Sequence, residues 1–257
     1  METLTALLIS NGYTRTDQPI SKPLVIHAVA GAGKTTLIRQ FLQQHPATNA
    51  QTLGTPDKPN LSRKMIRQFS LPKANHFNIL DEYCAQPLKG SWDAVFADPL
   101  QHPDYAIPPH FIKETSHRLG PSTCELISSL GILIYPDAED QLVTRKGVFE
   151  SELYGTIIAL DEPILQLASR HGLKPLCPKA TIGLQFPVVT VLSSQPLEQV
   201  EDSTALYIAL TRHTKELHVR CPTEAHPTTC SNKGSTPTNN RPRFSTNSFH
   251  TNKVHIT

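Results

Sequence analysis

Short apolar runs alternate with amphipathic segments from about Lys22 to Arg220. In the printed sequence the apolar runs are LVIHAVA, FNILDEY, WDAVFADP, ILIYP, YGTIIALDE, VVTVLSS and ELHVRC, and each predicts a short buried strand. The segment TTLIRQFLQQH places Leu37, Ile38, Phe41 and Leu42 on one face, which predicts a helix. Alternating strands and helices predict an α/β fold with a parallel sheet and helices on both of its faces.

The two ends of the chain differ from this central part. METLTALLIS has no basic residues ahead of its apolar ones, so we expect a first helix rather than a signal peptide. The longest apolar stretch, LISSLGILIY, is too short and too polar to cross a bilayer, so we expect a protein without direct membrane insertion. After Cys221 the chain is rich in Thr, Asn, Ser and Pro, which predicts a disordered tail over 222–257.

Charge is unevenly distributed along the chain. The formal net charge is +2, and the segment after Cys221 carries four cations against one carboxylate, which leaves the rest of the chain near −1. A basic tail is compatible with a polyanionic partner, although composition alone favours an ordinary solvated tail. The five cysteines show no paired spacing in the central part, which favours a reducing compartment over a disulfide framework.

The segment AVAGAGKTT follows a predicted strand and precedes a predicted helix. Gly31 and Gly33 allow backbone N–H groups to surround phosphate oxygens, as in a phosphate-binding loop. Lys34 is expected to reach the β- and γ-phosphates of ATP or another NTP, and the Thr35 hydroxyl is expected to bind Mg²⁺. Ala28 replaces the first glycine of the pattern, which is compatible with binding if its φ angle is negative.

Two predicted strands end in a pair of carboxylates that is suited to Mg²⁺. Asp81-Glu82 ends the run FNILDEY, and Asp161-Glu162 ends the run TIIALDEP. The first pair precedes another strand that ends in a carboxylate and Gln101, which is typical of a γ-phosphate sensor beside a metal site. We therefore predict that Asp81 binds Mg²⁺, that Glu82 orients the attacking water, and that Asp161-Glu162 is structural.

The segment YIALTRH, near the end of the central part, contains the next candidate. Arg212 follows a short apolar run and precedes the last predicted strand. An arginine at such an edge can reach across a cleft and stabilise charge on a transferring phosphoryl group. Because Thr-Arg pairs are common, this segment alone is a weak indication.

A possible zinc site overlaps the end of the central part. His218, Cys221, His226 and Cys230 have the ligand types and nearly the spacing of a zinc knuckle. A strand-end histidine followed by unrelated tail residues explains the same pattern and is the commoner case.

Taken in order, GAGKT, LDEY, ADPLQ, TIGLQFPVVTV and YIALTRH resemble the motifs of superfamily 1 viral RNA helicases. Together with QTLGTPDKPNL and ETSHRLG, the likeness is greatest to the first triple-gene-block proteins of potexviruses and carlaviruses, and it covers residues 22–221. It implies an N-terminal segment over 1–21 and two small RecA-like lobes over 22–119 and 120–221, with NTP between the lobes. It further implies that Gly183 and Arg118 contact the nucleotide.

The same resemblance implies a function in plant virus movement. It implies RNA-stimulated NTP hydrolysis of the helicase type, binding of single-stranded viral RNA, transport through plasmodesmata, suppression of RNA silencing, and a location in the host cytoplasm. It also implies self-association and contact with other movement proteins and coat protein. Two alternatives stay open: a P-loop small-molecule phosphotransferase, and an RNA-coating or partner-binding protein with vestigial hydrolysis.

Overall fold

The N-terminal half of the chain forms a seven-stranded sheet in the computed structural model, which describes residues 1–222. Its strands are β1 Thr14–Arg15, β2 Leu24–Ala28, β3 Thr48–Thr52, β4 Arg67–Gln68, β5 Phe77–Asp81, β6 Ala94–Ala97 and β7 Phe111–Lys113. They lie in the order β1-β7-β2-β6-β5-β3-β4, and every neighbouring pair is parallel except β1 with β7. The carboxyl ends of β2, β5 and β6 therefore meet at one edge, where ligands of open α/β sheets bind.

The C-terminal half of the described chain forms a second parallel sheet. A two-stranded pair, β8 Thr115–Ser116 with β9 Tyr135–Pro136, precedes it. The sheet itself contains β10 Leu142–Lys146, β11 Thr156–Ala159, β12 Phe186–Leu192 and β13 His213–Arg220. These strands lie in the order β10-β13-β12-β11, and all neighbours are parallel.

Five α-helices accompany the sheets in residues 1–222. They are α1 Glu2–Ser10, α2 Lys34–Gln44, α3 Pro121–Ser129, α4 Glu162–Arg170 and α5 Ser203–Leu210, and short 3₁₀ turns lie at Tyr83–Ala85, Pro103–Tyr105, Pro178–Thr181 and Leu197–Gln199. Helices α1 and α2 confirm the two sequence predictions, and the four apolar residues named for α2 are buried. Within the described residues, none of the helices has the length and apolar character needed to cross a membrane.

One hydrophobic core joins the two sheets. Ile26 of β2 and Phe96 of β6 belong to the same buried cluster as Val189 of β12 and Leu217 of β13, together with residues of α1, α2, α3 and α5. Burial of this continuous apolar surface is the main force that holds the sheets together. The lobe boundaries proposed from the sequence stay a prediction, and the predicted tail lies outside the described residues.

The other face of the first sheet carries no α-helix in residues 1–222, so the prediction of helices on both faces is wrong for this face. Val25, Leu80 and Val95 point to this side and pack against Tyr83 and Trp92. These two aromatic residues come from the connection between β5 and β6, which forms a 3₁₀ turn and a loop. Large aromatic side chains thus cover this face of the sheet in place of a helix.

Six of the seven predicted strands are confirmed. In ILIYP, only Tyr135–Pro136 is in a strand, because the chain makes a turn with positive φ at Gly131 and leaves Leu133 exposed. The polar segment TNAQT was not expected to be buried, yet it forms β3. Its polar side chains are buried because they have partners: the amide of Asn49 donates to Asn78 Oδ1 at 2.8 Å.

Buried His213 makes the stability of this fold pH-dependent. Its Nε2 lies 3.0 Å from Thr123 Oγ1 and 2.9 Å from Gln141 Oε1. Burial, reinforced by the Arg118 charge, lowers the pKa of His213 to about 4. The imidazole binds a proton near pH 6.5 in the unfolded chain but only near pH 4 in the folded chain. The free energy of unfolding therefore decreases as the pH falls from 6.5 towards 4.

We expect this histidine alone to cost about 1.4 kcal/mol of folding free energy between neutral pH and pH 5.5. The variant His213→Gln removes that term, so its loss of stability over the same pH interval is smaller by about this amount. Urea unfolding at pH 7.5 and pH 5.5 measures the difference, and His171→Gln, at an exposed position, is the control. Equal pH dependence in His213→Gln and the parent would contradict the prediction.

Candidate active site

One cavity of about 1130 Å³ lies at the carboxyl edge of the first sheet and extends to residues of the second half of the chain. All ten residues selected from separate sequence motifs line it: Gly31, Gly33, Lys34, Thr35, Asp81, Glu82, Gln101, Arg118, Gly183 and Arg212. The structure thus brings the predicted site together, while the role of each residue stays a prediction.

The glycine loop between β2 and α2 forms the floor of the cavity. Gly31 and Gly33 have φ angles of +77° and +90°, which disfavour any other residue type. A Cβ at Gly31 would lie 2.5 Å from Ser116 Oγ, so the loop also packs too closely for a side chain. Ala28 ends β2 in the ladder with Lys113 and does not have a positive φ, so this position does not require glycine.

Lys34 lies at the start of α2 and is buried beneath this loop. Its ammonium group donates to the carbonyl oxygen of Ala28 at 2.9 Å and to that of Val29 at 3.4 Å. These contacts hold the cation inside the concavity formed by the loop. A buried ammonium group at the N-terminus of a helix, beneath a glycine loop, is suited to bind a polyphosphate.

Asp81 and Glu82 lie at the carboxyl end of β5, beside Lys34. Burial, together with the neighbouring Glu82 carboxylate, raises the pKa of Asp81, and burial also raises the pKa of Glu82. Glu82 adopts a left-handed conformation with φ of +55°, and its Oε2 is buried without a hydrogen-bond partner among the described residues. Two adjacent buried carboxylates in a strained turn are electrostatically unfavourable unless a cation is bound.

The alternative carboxylate pair has a different position. Asp161 caps the N-terminus of α4, where its carboxylate accepts hydrogen bonds from the N–H groups of Ile164 at 3.0 Å and Ser194 at 2.8 Å. Glu162 lies on the helix surface and accepts a hydrogen bond from Gln166. Neither residue lines the cavity, which supports a structural role for the pair.

Tyr207 connects the glycine loop to the predicted sensor. Its hydroxyl accepts a hydrogen bond from the Ala30 N–H at 2.8 Å and donates to Asp98 Oδ2 at 2.9 Å. The same Asp98 oxygen accepts a hydrogen bond from Gln101 Nε2 at 2.8 Å, which orients the Gln101 amide. Tyr207 lies on α5 and is fully buried, so this network links α5 directly to the loop at the floor of the cavity.

The sequence alone does not indicate a role for Tyr207, which is the first residue of the YIALTRH segment. A tyrosine inside an apolar helical run is usually a core residue, and nothing in the spacing distinguishes this one. Its hydroxyl acts through Asp98, a residue more than 100 positions away in the sequence. Asp98 follows a predicted buried strand, and a buried carboxylate needs hydrogen-bond donors. This need was the only sign in the sequence that a distant donor such as Tyr207 exists.

Arg118 and Arg212 also line the cavity. Arg118 lies against the glycine loop, since a Cβ built at Gly31 would be 2.7 Å from Arg118 Cβ. Arg212 Nε donates to the Ile208 carbonyl at 3.1 Å, and Arg118 Nη2 donates to the Thr211 carbonyl at 2.9 Å, so both hold the C-terminal end of α5. Burial, and then the charge of Arg212, lowers the pKa of Arg118. Two partly desolvated guanidinium groups that repel each other favour an anion placed between them and Lys34.

Gly183 brings the second half of the chain against the first at the mouth of the cavity. It has a φ of +78°, and a Cβ there would lie 3.2 Å from Thr55 Oγ1. Thr55 belongs to the QTLGTPDKPNL segment and Gly183 to the TIGLQFPVVTV segment. Two of the motifs that carry the family resemblance are therefore neighbours in the structure. Their close approach explains why a residue without a side chain occupies this position.

The fold matches that of a viral helicase core. The family model described as the viral superfamily 1 RNA helicase core domain matches residues 24–221. The solved structure of the PRRSV helicase superimposes with a TM-score of 0.55 at 18% identity, over 88% of this chain and 55% of the helicase chain. This chain therefore contains a viral superfamily 1 helicase core and spans about half the length of that larger helicase.

Two related proteins show which family of viral helicase-like proteins the chain belongs to. The movement and silencing protein TGBp1 of Plantago asiatica mosaic potexvirus is 53% identical over 224 residues, which are 86% of this chain and 97% of the relative. The protein of the same name from Potato virus X is 38% identical over 226 residues, covering 87% of this chain and 100% of the relative. The chain belongs to the TGBp1 family of movement and silencing proteins, as the motif order predicted.

The two carboxylate pairs give a direct test of the metal-site prediction. We expect Asp81→Ala to abolish NTP hydrolysis, because it removes the buried carboxylate that faces Lys34. We expect Asp161→Ala to keep hydrolysis and to lose about 1 kcal/mol of folding free energy, because it removes a helix cap. Steady-state hydrolysis and urea unfolding of both variants check this, and the reverse pattern would assign the metal site to Asp161.

The Tyr207 network predicts a loss of stability from the removal of one oxygen atom. The variant Tyr207→Phe leaves the Ala30 N–H and one Asp98 oxygen with fewer buried partners, which costs about 1–3 kcal/mol. The exposed Tyr105→Phe is the matched control. Thermal or urea unfolding measures the effect, and a Tyr207→Phe variant as stable as this control would show that the network contributes little.

Proposed function

We propose that this chain is an NTP hydrolase of the superfamily 1 helicase type whose turnover is coupled to single-stranded RNA. The observation that carries the proposal is the meeting of residues from six separate motifs around one cavity. Lys34 and the glycine loop provide phosphate-binding groups, and Arg118 and Arg212 provide two further cations in the same cavity. Charge development on a transferred phosphoryl group is stabilised by such an arrangement.

The carboxylates fit a role in holding Mg²⁺. Asp81 with the Thr35 hydroxyl would bind the ion, which neutralises phosphate charge when it is present. The raised pKa values of Asp81 and Glu82 and the unpartnered Glu82 Oε2 are the features of a site that a divalent cation stabilises. Glu82 is then placed to accept a proton from the attacking water, and Gln101, oriented by Asp98, to contact the γ-phosphate.

The biological role follows from the family and is part of the same proposal. The relatives are named as movement and silencing proteins, and the helicase core favours RNA as the polymer that is moved. We propose that the chain binds viral RNA and assists its passage between plant cells through plasmodesmata, and that it suppresses RNA silencing in the host cytoplasm. Self-association and contact with other movement proteins and coat protein belong to this proposal.

The decisive measurement is NTP hydrolysis with and without single-stranded RNA. We expect turnover that RNA increases, and we expect Lys34→Ala to reduce it by about 10²-fold or more, because it removes the cation that neutralises the phosphates. Lys89→Ala, an exposed lysine outside the cavity, is the matched control.

The same assay separates the alternatives. Turnover that requires a small-molecule acceptor and ignores RNA would indicate a phosphotransferase. RNA binding without detectable hydrolysis in the parent chain would indicate an RNA-coating protein with a vestigial site. If the Lys34→Ala variant hydrolyses NTP as fast as the Lys89→Ala control, the glycine loop takes no part in the reaction.

A further inference from the structure

A second cavity, of about 300 Å³, lies on the second sheet and shares no residue with the first cavity. Alternate residues of two neighbouring strands form its floor: Thr144 and Lys146 of β10, and His218 and Arg220 of β13. The parallel register places Thr144 beside His218 and Lys146 beside Arg220. Because alternate residues of a strand share one face, these polar side chains point to the same side of the sheet.

Arg220 is the unusual member of this floor, since its side chain is buried with a relative exposure of 1%. Its guanidinium donates to three neutral oxygens: Thr144 Oγ1 at 3.3 Å, the Val219 carbonyl at 3.0 Å and the Glu152 carbonyl at 3.2 Å. Its Nε has no partner in residues 1–222, and the ion pairs of that range do not include it. A buried cation without a counter-charge is costly, so an anion bound beside it would be stabilised.

Among the described lining residues the two cations, Lys146 and Arg220, outnumber the one carboxylate, Glu216. The Glu152 carboxylate, outside the lining, accepts a hydrogen bond from the Tyr154 hydroxyl at 3.3 Å. Lys146 is exposed and lies next to Arg220 in the strand register. Glu216 is the carboxylate side chain among the described lining residues, and its Oε2 lies 3.1 Å from His218 Nε2. The other His218 nitrogen lies 2.8 Å from Thr144 Oγ1. Glu216 is therefore engaged with His218, while Lys146 and Arg220 remain for a ligand.

Tyr154 forms an aromatic wall of the cavity. Its ring is tilted by 45° against the His218 ring, with 4.9 Å between the centroids, and the residue is 43% exposed. Thr190 Oγ1 donates to the Tyr154 carbonyl at 2.6 Å and accepts a hydrogen bond from the Tyr154 N–H at 3.0 Å, which fixes the backbone on both sides. The next residue, Gly155, approaches the Val188 carbonyl too closely for any side chain. The aromatic face is thus held in place before a ligand arrives.

We propose that this cavity binds one nucleotide of single-stranded RNA, with the phosphate at Arg220 and Lys146 and the base against Tyr154. The proposal rests on the RNA binding in the proposed function and assigns a second site to it. A volume of about 300 Å³ is at the small end of ligand pockets, which suits a single nucleotide. Cations beside an exposed aromatic ring are the combination that binds single strands without sequence preference.

The test measures binding of a fluorescent oligouridylate to the full chain, without NTP, over a range of salt concentrations. Tyr154→Ala is expected to weaken binding about fivefold or more, because base stacking is lost. Lys146→Gln is expected to reduce the slope of log affinity against log salt by about 0.7, because one phosphate contact is lost. Lys174→Gln, an exposed lysine elsewhere in the same half of the chain, is the matched control.

Two results distinguish this proposal from the proposed function. Binding by Tyr154→Ala and Lys146→Gln that equals the control in affinity and salt slope would overturn the second site, even if RNA stimulates hydrolysis. A parent chain that fails to bind the oligouridylate would overturn both the second site and the RNA binding of the proposed function, whereas the other two results separate them. A chain without hydrolysis in which both variants show the expected losses would refute the proposed function and support the second site.

Discussion

The hydroxyl of Tyr207, on α5, makes polar contacts to the loops that follow β2 and β6 of the first sheet, in addition to the apolar core that joins the two sheets. It receives the Ala30 N–H of the glycine loop and donates to Asp98, and Asp98 in turn fixes Gln101. Because Tyr207 lies on α5, which leads directly to Arg212, the position of the arginine depends on the same helix that supports the loop. A shift of α5 relative to the first sheet would therefore disturb the loop, the sensor and the arginine together.

The second physical constraint on the site is the repulsion between like charges that lie close together in the cavity. Asp81 and Glu82 repel each other close to Lys34, and Arg118 and Arg212 repel each other elsewhere in the same cavity. Neither pair is stable by itself in a desolvated cavity, yet a metal ion and a polyphosphate would satisfy both at once. The free chain thus carries electrostatic cost in the cavity that ligand binding relieves.

The sequence predicted which residues line the cavity better than it predicted the strands of the sheets. Lys34, Asp81 and Arg212 lie in short motifs whose chemistry requires particular residue types, so they could be identified without coordinates. The strand β3 was missed because its buried residues are polar and depend on partners such as Asn78, which no local pattern reveals. The role of Tyr207 was missed for the same reason: its importance comes from a contact with a residue distant in the sequence. Long-range hydrogen bonds are the part of the structure that periodicity and motifs do not contain.

The position of β10 has a consequence for how copies of this chain meet. Within residues 1–222, β10 is the outermost strand of its sheet, so the backbone groups on its outer side face away from β13. Such an edge is a template for pairing with the same edge of a second copy. Lys146 lies exposed on this strand, and a second β10 aligned in parallel register would place the two Lys146 side chains side by side. Their repulsion disfavours in-register pairing of two β10 edges.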